Sequence, residues 1–196
     1  MKLIILLRRA IKTFVQALSL AVALPFAAFA GFGRFSPIFQ GFAQLFALVP
    51  GLPGDYLRIA YYVCTLRRCS LNSRVSFGSF CAQSSVSISR GVYIGCYCVV
   101  GACVIGERTQ IASHVQILSG RHQHLRGPDG RIMGADEEEF MPVVIGADCW
   151  IGATAIVMAD IGPETTIGAG AVVTRPIPTN AVAVGNPARL LERVMQ

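Results

Sequence analysis

The feature that most constrains this fold is an aliphatic residue that returns about every six positions in the second half of the chain. A period of six matches neither the 3.6-residue period of an α-helix nor the 3.5-residue period of a coiled coil. It matches a parallel solenoid, in which each short strand points one bulky side chain into a narrow core. The next residue must be small to turn the corner, and glycine follows most of these positions. The aliphatic positions are Ile94, Val100, Ile105, Ile111, Ile117, Ile145, Ile151, Val157, Ile161, Ile167 and Val173.

A second position of the repeat, four places after the aliphatic one, is small or β-branched. Stacked coils pair their backbones and bury one continuous core, so that no coil is stable alone. The sequence therefore predicts a mainly β fold over residues 71–196, a parallel β-helix with a loop excursion at 119–142 and a C-terminal tail. The small positions are Cys98, Thr109, Val115, Cys149, Ala155, Thr165 and Ala171.

The seven cysteines show no CxxC spacing, and several fall at these small interior positions. An odd number also fits a secreted disulfide framework poorly. We therefore predict reduced thiols that act as small apolar side chains in the core.

Residues 1–70 are predicted to form an apolar, helical, membrane-associated segment and a linker. No residue is charged from 13 to 33 or from 35 to 54, and each run approaches the roughly 20 residues that span a bilayer. Three interpretations are open: a cleaved signal peptide, a helical hairpin or re-entrant pair, and an interfacial segment in one leaflet. The second apolar run disfavours the signal peptide. Residues 55–68 are predicted to form a short amphipathic linking helix.

The charge distribution favours a lipid surface over nucleic acid. Hydrophobic residues make up 53% of the chain and charged residues only 14%, against about a quarter charged in a soluble domain. The net charge is +6, and no basic stripe interleaved with aromatics follows in the second half, so no nucleic-acid partner is predicted. The expected location is the cytoplasmic face of a membrane, the bacterial inner membrane. The basic residues that flank the apolar runs are Lys2, Arg8, Arg9, Lys12, Arg58, Arg67 and Arg68.

The repeat and its ending resemble a known family. The tandem aliphatic-glycine hexads, the interrupting loop, and the segments IGAGAVVTR at 167–175 and AVGNPAR at 183–189 are similar to hexapeptide-repeat O-acetyltransferases of the maltose, galactoside and colanic-acid type. The resemblance covers roughly Val75 to Leu191. It implies a left-handed parallel β-helix, a homotrimer with active sites between subunits, acetyl-CoA as the co-substrate, and no metal.

The loop excursion is expected to hold the catalytic base. Acyl transfer from a thioester to a hydroxyl requires a base near neutral pH, and histidine is the natural candidate. All three histidines, His114, His122 and His124, lie in or just before the loop. The resemblance places the catalytic histidine where the chain leaves the helix, which is His122. It leaves His124 as the reserve and as an acceptor-binding residue, whereas His114 lies inside a hexad and is predicted to be structural.

Acidic residues close the loop. The resemblance implies acceptor binding by Glu138 and Glu139, although a run of acids is equally typical of a solvated face. The segment from Phe77 to Phe80 holds no asparagine to match the sugar-site asparagine of the family. The acceptor is therefore left open between a sugar or glycan intermediate, which the membrane segment favours, and a free amino acid or xenobiotic.

The resemblance also implies a coenzyme A site. Trp150, the only tryptophan, would lie against the thioester and pantetheine arm, unless it merely packs at a coil corner. Arg189 could alternatively cap the end of the solenoid. The other implied residues are Ala153, Gly168 and Ala169 for the pantetheine, and Thr174, Arg175 and Arg189 for the phosphates.

Two other functions could use this fold. A zinc enzyme of the carbonic-anhydrase kind needs three converging histidines. Two histidines in one irregular loop do not match that pattern. A non-catalytic trimeric membrane scaffold needs no coenzyme A residues, and the series from Trp150 to Arg189 argues against it.

Overall fold

Helices occupy the first third of the described chain, and short strands occupy the rest. The structure is a computed structural model that describes residues 2–119, 128–133 and 141–191. The helices are α1 (Lys2–Phe29), α2 (Ser36–Ala47) and α3 (Gly51–Thr65), with a 3-10 turn at Gly31–Gly33. The strands are β1 (Arg68–Cys69), β2 (Arg74–Val75), β3 (Phe80–Cys81), β4 (Ser87–Ile88), β5 (Tyr93–Ile94), β6 (Val99–Val100), β7 (Cys103–Ile105), β8 (Gln110–Ile111), β9 (Gln116–Ile117), β10 (Val143–Ile145), β11 (Trp150–Ile151), β12 (Ile156–Val157), β13 (Thr166–Ile167), β14 (Val172–Val173), β15 (Val182–Val184) and β16 (Arg189–Leu190).

The strands stack into three parallel sheets that the chain visits in turn. Sheet A has the order β1-β4-β7-β10, sheet B runs β16-β15-β13-β11-β8-β5-β2, and sheet C runs β14-β12-β9-β6-β3. Only the last pair, β15 with β16, is antiparallel. The chain thus makes about five turns of a parallel β-helix with an A–B, a B–C and a C–A corner in each turn. The predicted fold class, a β-helix preceded by an apolar helix, is confirmed.

The core of the β-helix consists of the two repeat positions predicted from the sequence. Every aliphatic position is at most 2% exposed, and so is every small position four places later. Equivalent residues of successive turns pair directly, as Ile94 does with Ile111 and Ile151 with Ile167. The small corner residue is a steric requirement, because a Cβ added to Gly152 would come within 2.7 Å of the carbonyl carbon of Gly168 in the next turn.

Two small positions are threonines because their hydroxyl groups join neighbouring turns. Thr109 donates from Oγ1 to the carbonyl of Gly146 at 2.7 Å and accepts from the amide of Cys149 at 3.2 Å. A buried hydroxyl that both donates and accepts avoids the cost of an unpaired polar group. All seven cysteines are free, and Cys81, Cys98, Cys103 and Cys149 are buried.

The three helices, here called the helical cap, close the N-terminal end of the β-helix. In α1, Gln16 donates to the carbonyl of Leu71 at 2.9 Å, at the A–B corner of the first turn. In α2, Gln40 donates to the carbonyl of Ala82 at 3.0 Å, at the C–A corner. The amide of Gly78 at the B–C corner donates to the last residue of α2. Since the cap contacts all three corners of one turn, its helices lie across the end of the β-helix.

A buried arginine ties the cap to the first turn. The Arg58 side chain is 0% exposed; Nε donates to the Val75 carbonyl at 2.8 Å, and Nη1 donates to the carbonyls of Phe46 and Val49 at 2.9 and 2.8 Å. Its Nη2 pairs with Asp55 Oδ1 at 2.6 Å. The helix predicted for 55–68 therefore differs from α3, which begins at Gly51, ends at Thr65 and forms the buried centre of the cap rather than a peripheral linker.

The outer surface of the cap is apolar. Within the described chain, one helix is long and apolar enough to cross a membrane by length and composition, over Leu6–Phe29. Only 17% of its most apolar stretch is buried in the protein. Phe14, Phe29, Phe32 and Phe35 are each more than half exposed.

Candidate active site

The outer face of sheet B carries the predicted tryptophan. Trp150 points outward from β11 and is 58% exposed, between Gln110 of the preceding turn and Thr166 of the following one. With Tyr93, Gln110 and Ser113 it lines a shallow cavity of about 310 Å³. Trp150 is therefore a wall of a surface cavity and is not a buried packing residue.

The small residues predicted to approach the pantetheine lie beside Trp150. Ala153 follows β11 at the B–C corner, and Gly168 and Ala169 occupy the same corner one turn later. The amide of Gly170 donates to the Ala153 carbonyl at 2.8 Å, which holds the two turns in register. A Cβ on Gly168 would come within 2.7 Å of Val184 Cγ1. The structure thus gathers four of the predicted coenzyme A residues on one continuous surface.

Two of the three predicted phosphate-binding residues, Thr174 and Arg175, lie elsewhere, whereas Arg189 lies on the edge strand of sheet B, the sheet that carries Trp150. Thr174 and the exposed Arg175 follow β14 at the C–A corner. Arg189 lies on β16 and donates to the Ala188 carbonyl at 3.0 Å. A single chain therefore does not bring Thr174 and Arg175 together with Trp150.

The chain leaves for its loop excursion at the same C–A corner as Thr174 and Arg175. Ser119, the last described residue before the loop, is buried; its Oγ accepts from the Ala102 amide at 2.9 Å and donates to Gln83 Oε1 at 3.0 Å. Two turns of about 4.8 Å each place this exit about 10 Å from Thr174 along the axis. The predicted residues His122, His124, Glu138 and Glu139 lie outside the described residues.

An aromatic row, which sequence reasoning missed, occupies the B–C corner before Ala153. The exposed His114 ring stacks on Tyr97, with centroids 5.3 Å apart and 16° between planes, and Tyr97 meets Phe77 edge to face at 5.6 Å. Part of the signal was available, because Tyr97 and His114 occupy equivalent places in successive turns, each three residues after a core isoleucine, whereas Phe77 lies one place earlier in its own turn. His114 is thus a surface residue of the corner, held by a hydrogen bond from its amide to the Cys96 carbonyl.

A second missed feature fixes the A–B corner that leads into Trp150. Arg108 binds Asp148 with both arms, Nε to Oδ1 at 2.7 Å and Nη2 to Oδ2 at 2.6 Å. This hydrogen bonding lowers the pKa of the Asp148 carboxyl below its ordinary value. A two-armed pair of this kind holds one geometry, so it orients the backbone two residues before the tryptophan.

No metal centre is assembled by the part of the chain that the structure describes, where no three His, Cys, Asp or Glu side chains converge. The histidine pair on which a zinc site would depend lies outside that part.

The chain is similar to known proteins in sequence and in fold. No protein-family model matches the chain. The galactoside O-acetyltransferase of Escherichia coli K12 is 32% identical over 93 residues, which are 46% of this chain and 43% of the relative. A solved maltose O-acetyltransferase from Clostridium difficile has a TM-score of 0.61 at 22% identity, over 87% of this chain and 92% of that chain. The repeat domain is similar in sequence to a galactoside O-acetyltransferase and shares the fold of a solved maltose O-acetyltransferase.

These similarities confirm the resemblance to acetyltransferases noted in the sequence. A solved galactoside acetyltransferase in complex with coenzyme A has a TM-score of 0.52 at 19% identity, over 83% of this chain and 84% of that chain. At these identities the solved structures establish the fold of the repeat domain. The chain spans between 30 and 60% of the length of the curated relatives it matches.

Proposed function

We propose that this protein transfers an acetyl group from acetyl-CoA to a hydroxyl group of a sugar or glycan intermediate, in the synthesis of an exopolysaccharide, a capsule or a lipopolysaccharide. The observation that carries the proposal is the exposed Trp150, continuous with Ala153, Gly168 and Ala169 on a repeat domain related to acetyltransferases. An aromatic wall beside close-approach backbone suits a thin, flexible arm such as pantetheine.

The full site is proposed to form between subunits of a homotrimer. Trp150 and the C–A corner with Thr174 and Arg175 lie on different edges of one chain, so a neighbouring copy is needed to bring the two edges together. The outer face of sheet C supports such packing because four of the five outward residues of its strands are apolar and half-buried, namely Phe80, Val99, Ile156 and Val172, with the polar Gln116 in the middle strand.

In this mechanism His122 acts as the general base. It removes the proton of the acceptor hydroxyl as that oxygen attacks the thioester carbonyl, and it returns the proton to the departing coenzyme A sulfur. His124, Glu138 and Glu139 would contact the acceptor. Support comes from the position of the loop exit at Ser119, on the corner that carries Thr174 and Arg175.

The helical cap is proposed to lie on the cytoplasmic surface of a membrane. Its helices run across the end of the β-helix, and four of its phenylalanines are more than half exposed, which favours the interfacial interpretation over a spanning hairpin. Exposed basic residues at Arg8, Arg9 and Lys12 suit anionic headgroups. The cytosolic supply of acetyl-CoA favours that side of the membrane.

The test follows labelled acetyl groups from acetyl-CoA into glycan acceptors, together with mass spectrometry of envelope glycans from cells with and without the protein. His122→Ala is expected to lower kcat by about 10²- to 10⁴-fold, the usual contribution of a general base. His114→Asn is the matched control, because asparagine tolerates the positive φ of 62° at that corner. Full activity of His122→Ala would remove the assigned base. A wild-type protein that neither binds nor turns over acetyl-CoA would instead favour the scaffold.

A further inference from the structure

An apolar groove runs between α1 and α3 on the helical cap. Its volume is about 660 Å³, within the roughly 300–1,000 Å³ of small-molecule sites. Its apolar lining includes Ile11, Val15, Leu18, Val22, Leu52 and Leu57, while two cations, Arg8 and Lys12, also line it. Among the described residues no carboxylate pairs with either cation. An aliphatic trough with unpaired positive charge matches an amphiphile that has a hydrocarbon chain and an anionic head.

A smaller, polar cavity of about 270 Å³ continues from this groove. The two share Lys12, Leu52 and Tyr56, and Asn72 and Arg74 are among the polar residues that line the smaller one. Lys12 stands at the junction, since its Nζ donates to Asn72 Oδ1 at 3.0 Å. The continuous space therefore changes from hydrocarbon-like to polar at a lysine.

The charge of the polar cavity is positive. Its one acid, Asp55, is already ion-paired on both oxygens, at 2.6 Å from Arg58 Nη2 and 2.7 Å from Arg74 Nε. Three cations, Lys12, Arg58 and Arg74, outnumber one carboxylate, that of Asp55. The balance is an excess of positive charge. A phosphate group at Lys12, where the groove and the polar cavity meet, complements this excess, whereas a neutral or cationic headgroup does not.

One lining residue of the polar cavity, Arg74, belongs to the sheet that carries Trp150. Arg74 points outward from sheet B, and its guanidinium lies 5.8 Å from the ring centre of Tyr93 in the next turn. Gln110 and then Trp150 follow on the same row. Three turns of about 4.8 Å separate Arg74 from Trp150, or about 14 Å, a distance that a short chain of sugars spans.

We propose that the groove binds the hydrocarbon chain of a phosphate-bearing lipid, with the phosphate at Arg8 and Lys12 and the remaining headgroup in the polar cavity. This lipid also carries the glycan acceptor along sheet B towards Trp150. That second part of the proposal rests on the proposed acetyltransferase function. The binding site itself does not depend on that function.

Calorimetric titration of the full chain in amphipol with dodecyl phosphate tests the binding site. One molecule is expected to bind per chain, and inorganic phosphate at the same concentration is not expected to bind. Leu18→Trp fills the groove and should abolish binding, whereas Leu24→Trp, an exposed α1 position outside the groove, should leave it intact. Lys12→Gln should weaken it about tenfold through loss of a charged hydrogen bond, and Arg9→Gln should not. Absence of binding, equal binding by the two tryptophan variants, or equal binding of inorganic phosphate would each overturn the site.

The acceptor statement is tested by comparing acetyl transfer to one glycan in two forms, free and linked through a diphosphate to a short prenyl chain. The linked form is expected to have a KM at least about tenfold lower, and Leu18→Trp should remove this difference. Equal KM values for both forms would contradict the lipid-linked acceptor while leaving acetyl transfer intact. Dodecyl phosphate binding without transfer to either form would contradict the proposed function and leave the lipid site standing.

Discussion

The helical cap buries large side chains of a kind that the core of the β-helix lacks. In the β-helix the interior is a repeated set of isoleucines, valines and small side chains. The cap buries the charged Arg58 and the aromatics Phe39, Tyr61 and Tyr62, all at 0% exposure, and leaves other phenylalanines on its surface. A repeating core is specified at every turn and tolerates local change, whereas the cap depends on a few contacts that occur once. The apolar surface that the cap leaves outside is the surface proposed to contact lipid.

The largest expected effect comes from removing the charge at the centre of the cap. Arg58→Met is predicted to destabilise the protein by about 3–5 kcal/mol, because it removes the buried partner of the Asp55 carboxylate and the side-chain donor to three backbone carbonyls. Denaturant unfolding monitored at the cap aromatics measures the change. The control is Arg74→Met, which removes the half-exposed partner of the same carboxylate and should cost only about 1 kcal/mol. Equal losses in the two variants would show that burial of Arg58 is not what holds the cap.

The same glycine-to-alanine change should have opposite signs in the two regions. Gly152→Ala is predicted to cost about 1–3 kcal/mol, since its Cβ would press on the backbone of the next turn. Gly41→Ala in α2 should instead stabilise the protein by about 0.5–1 kcal/mol, because nothing lies within 4 Å and alanine favours a helix. Thermal and denaturant unfolding of both variants measure the signs. A stabilising effect at residue 152 would mean that the turns are not packed as closely as described.

Alkaline pH should weaken the β-helix from inside by a smaller amount. Burial raises the pKa of the Cys103 thiol to about 12 from an ordinary value of 9.0. The unfolded chain therefore loses this proton first, and the stability that is complete below pH 9 declines as the pH rises towards 12. The expected loss from this thiol is about 1 kcal/mol at pH 10. Unfolding free energies between pH 8 and 11 should fall less steeply for Cys103→Ala than for the wild type, and identical slopes would contradict the assignment.

The two regions were also unequally predictable. Residues such as Ile151 and Ala155 occupy positions that repeat in every turn. The β-helix and its core could therefore be predicted from the period alone. Nothing local marks Arg58 as buried, because its burial depends on carbonyls that α2 and β2 supply from elsewhere in the chain. The sequence therefore indicated an apolar segment without fixing how its helices lie.

The candidate site divides in the same way. Trp150 and the neighbouring small residues could be identified because they occupy repeat positions of a recognisable series. The lipid groove could not, since Lys12 and Leu52 are brought together only by the packing of α1 on α3. His122 and His124 belong to the loop that breaks the period, and their roles remain predictions from chemistry and resemblance.

The most direct test of the account is equilibrium binding of coenzyme A to the full-length protein, to Trp150→Ala and to Val144→Ala. Val144 points outward from sheet A in the same turn as Trp150 and is 46% exposed, so it matches the substitution without touching the proposed site. We predict that the wild type and Val144→Ala bind with the same affinity, and that Trp150→Ala binds at least about tenfold more weakly because a large aromatic contact is lost. Equal affinities in all three proteins, or no binding by the wild type, would contradict the assignment of this face to coenzyme A.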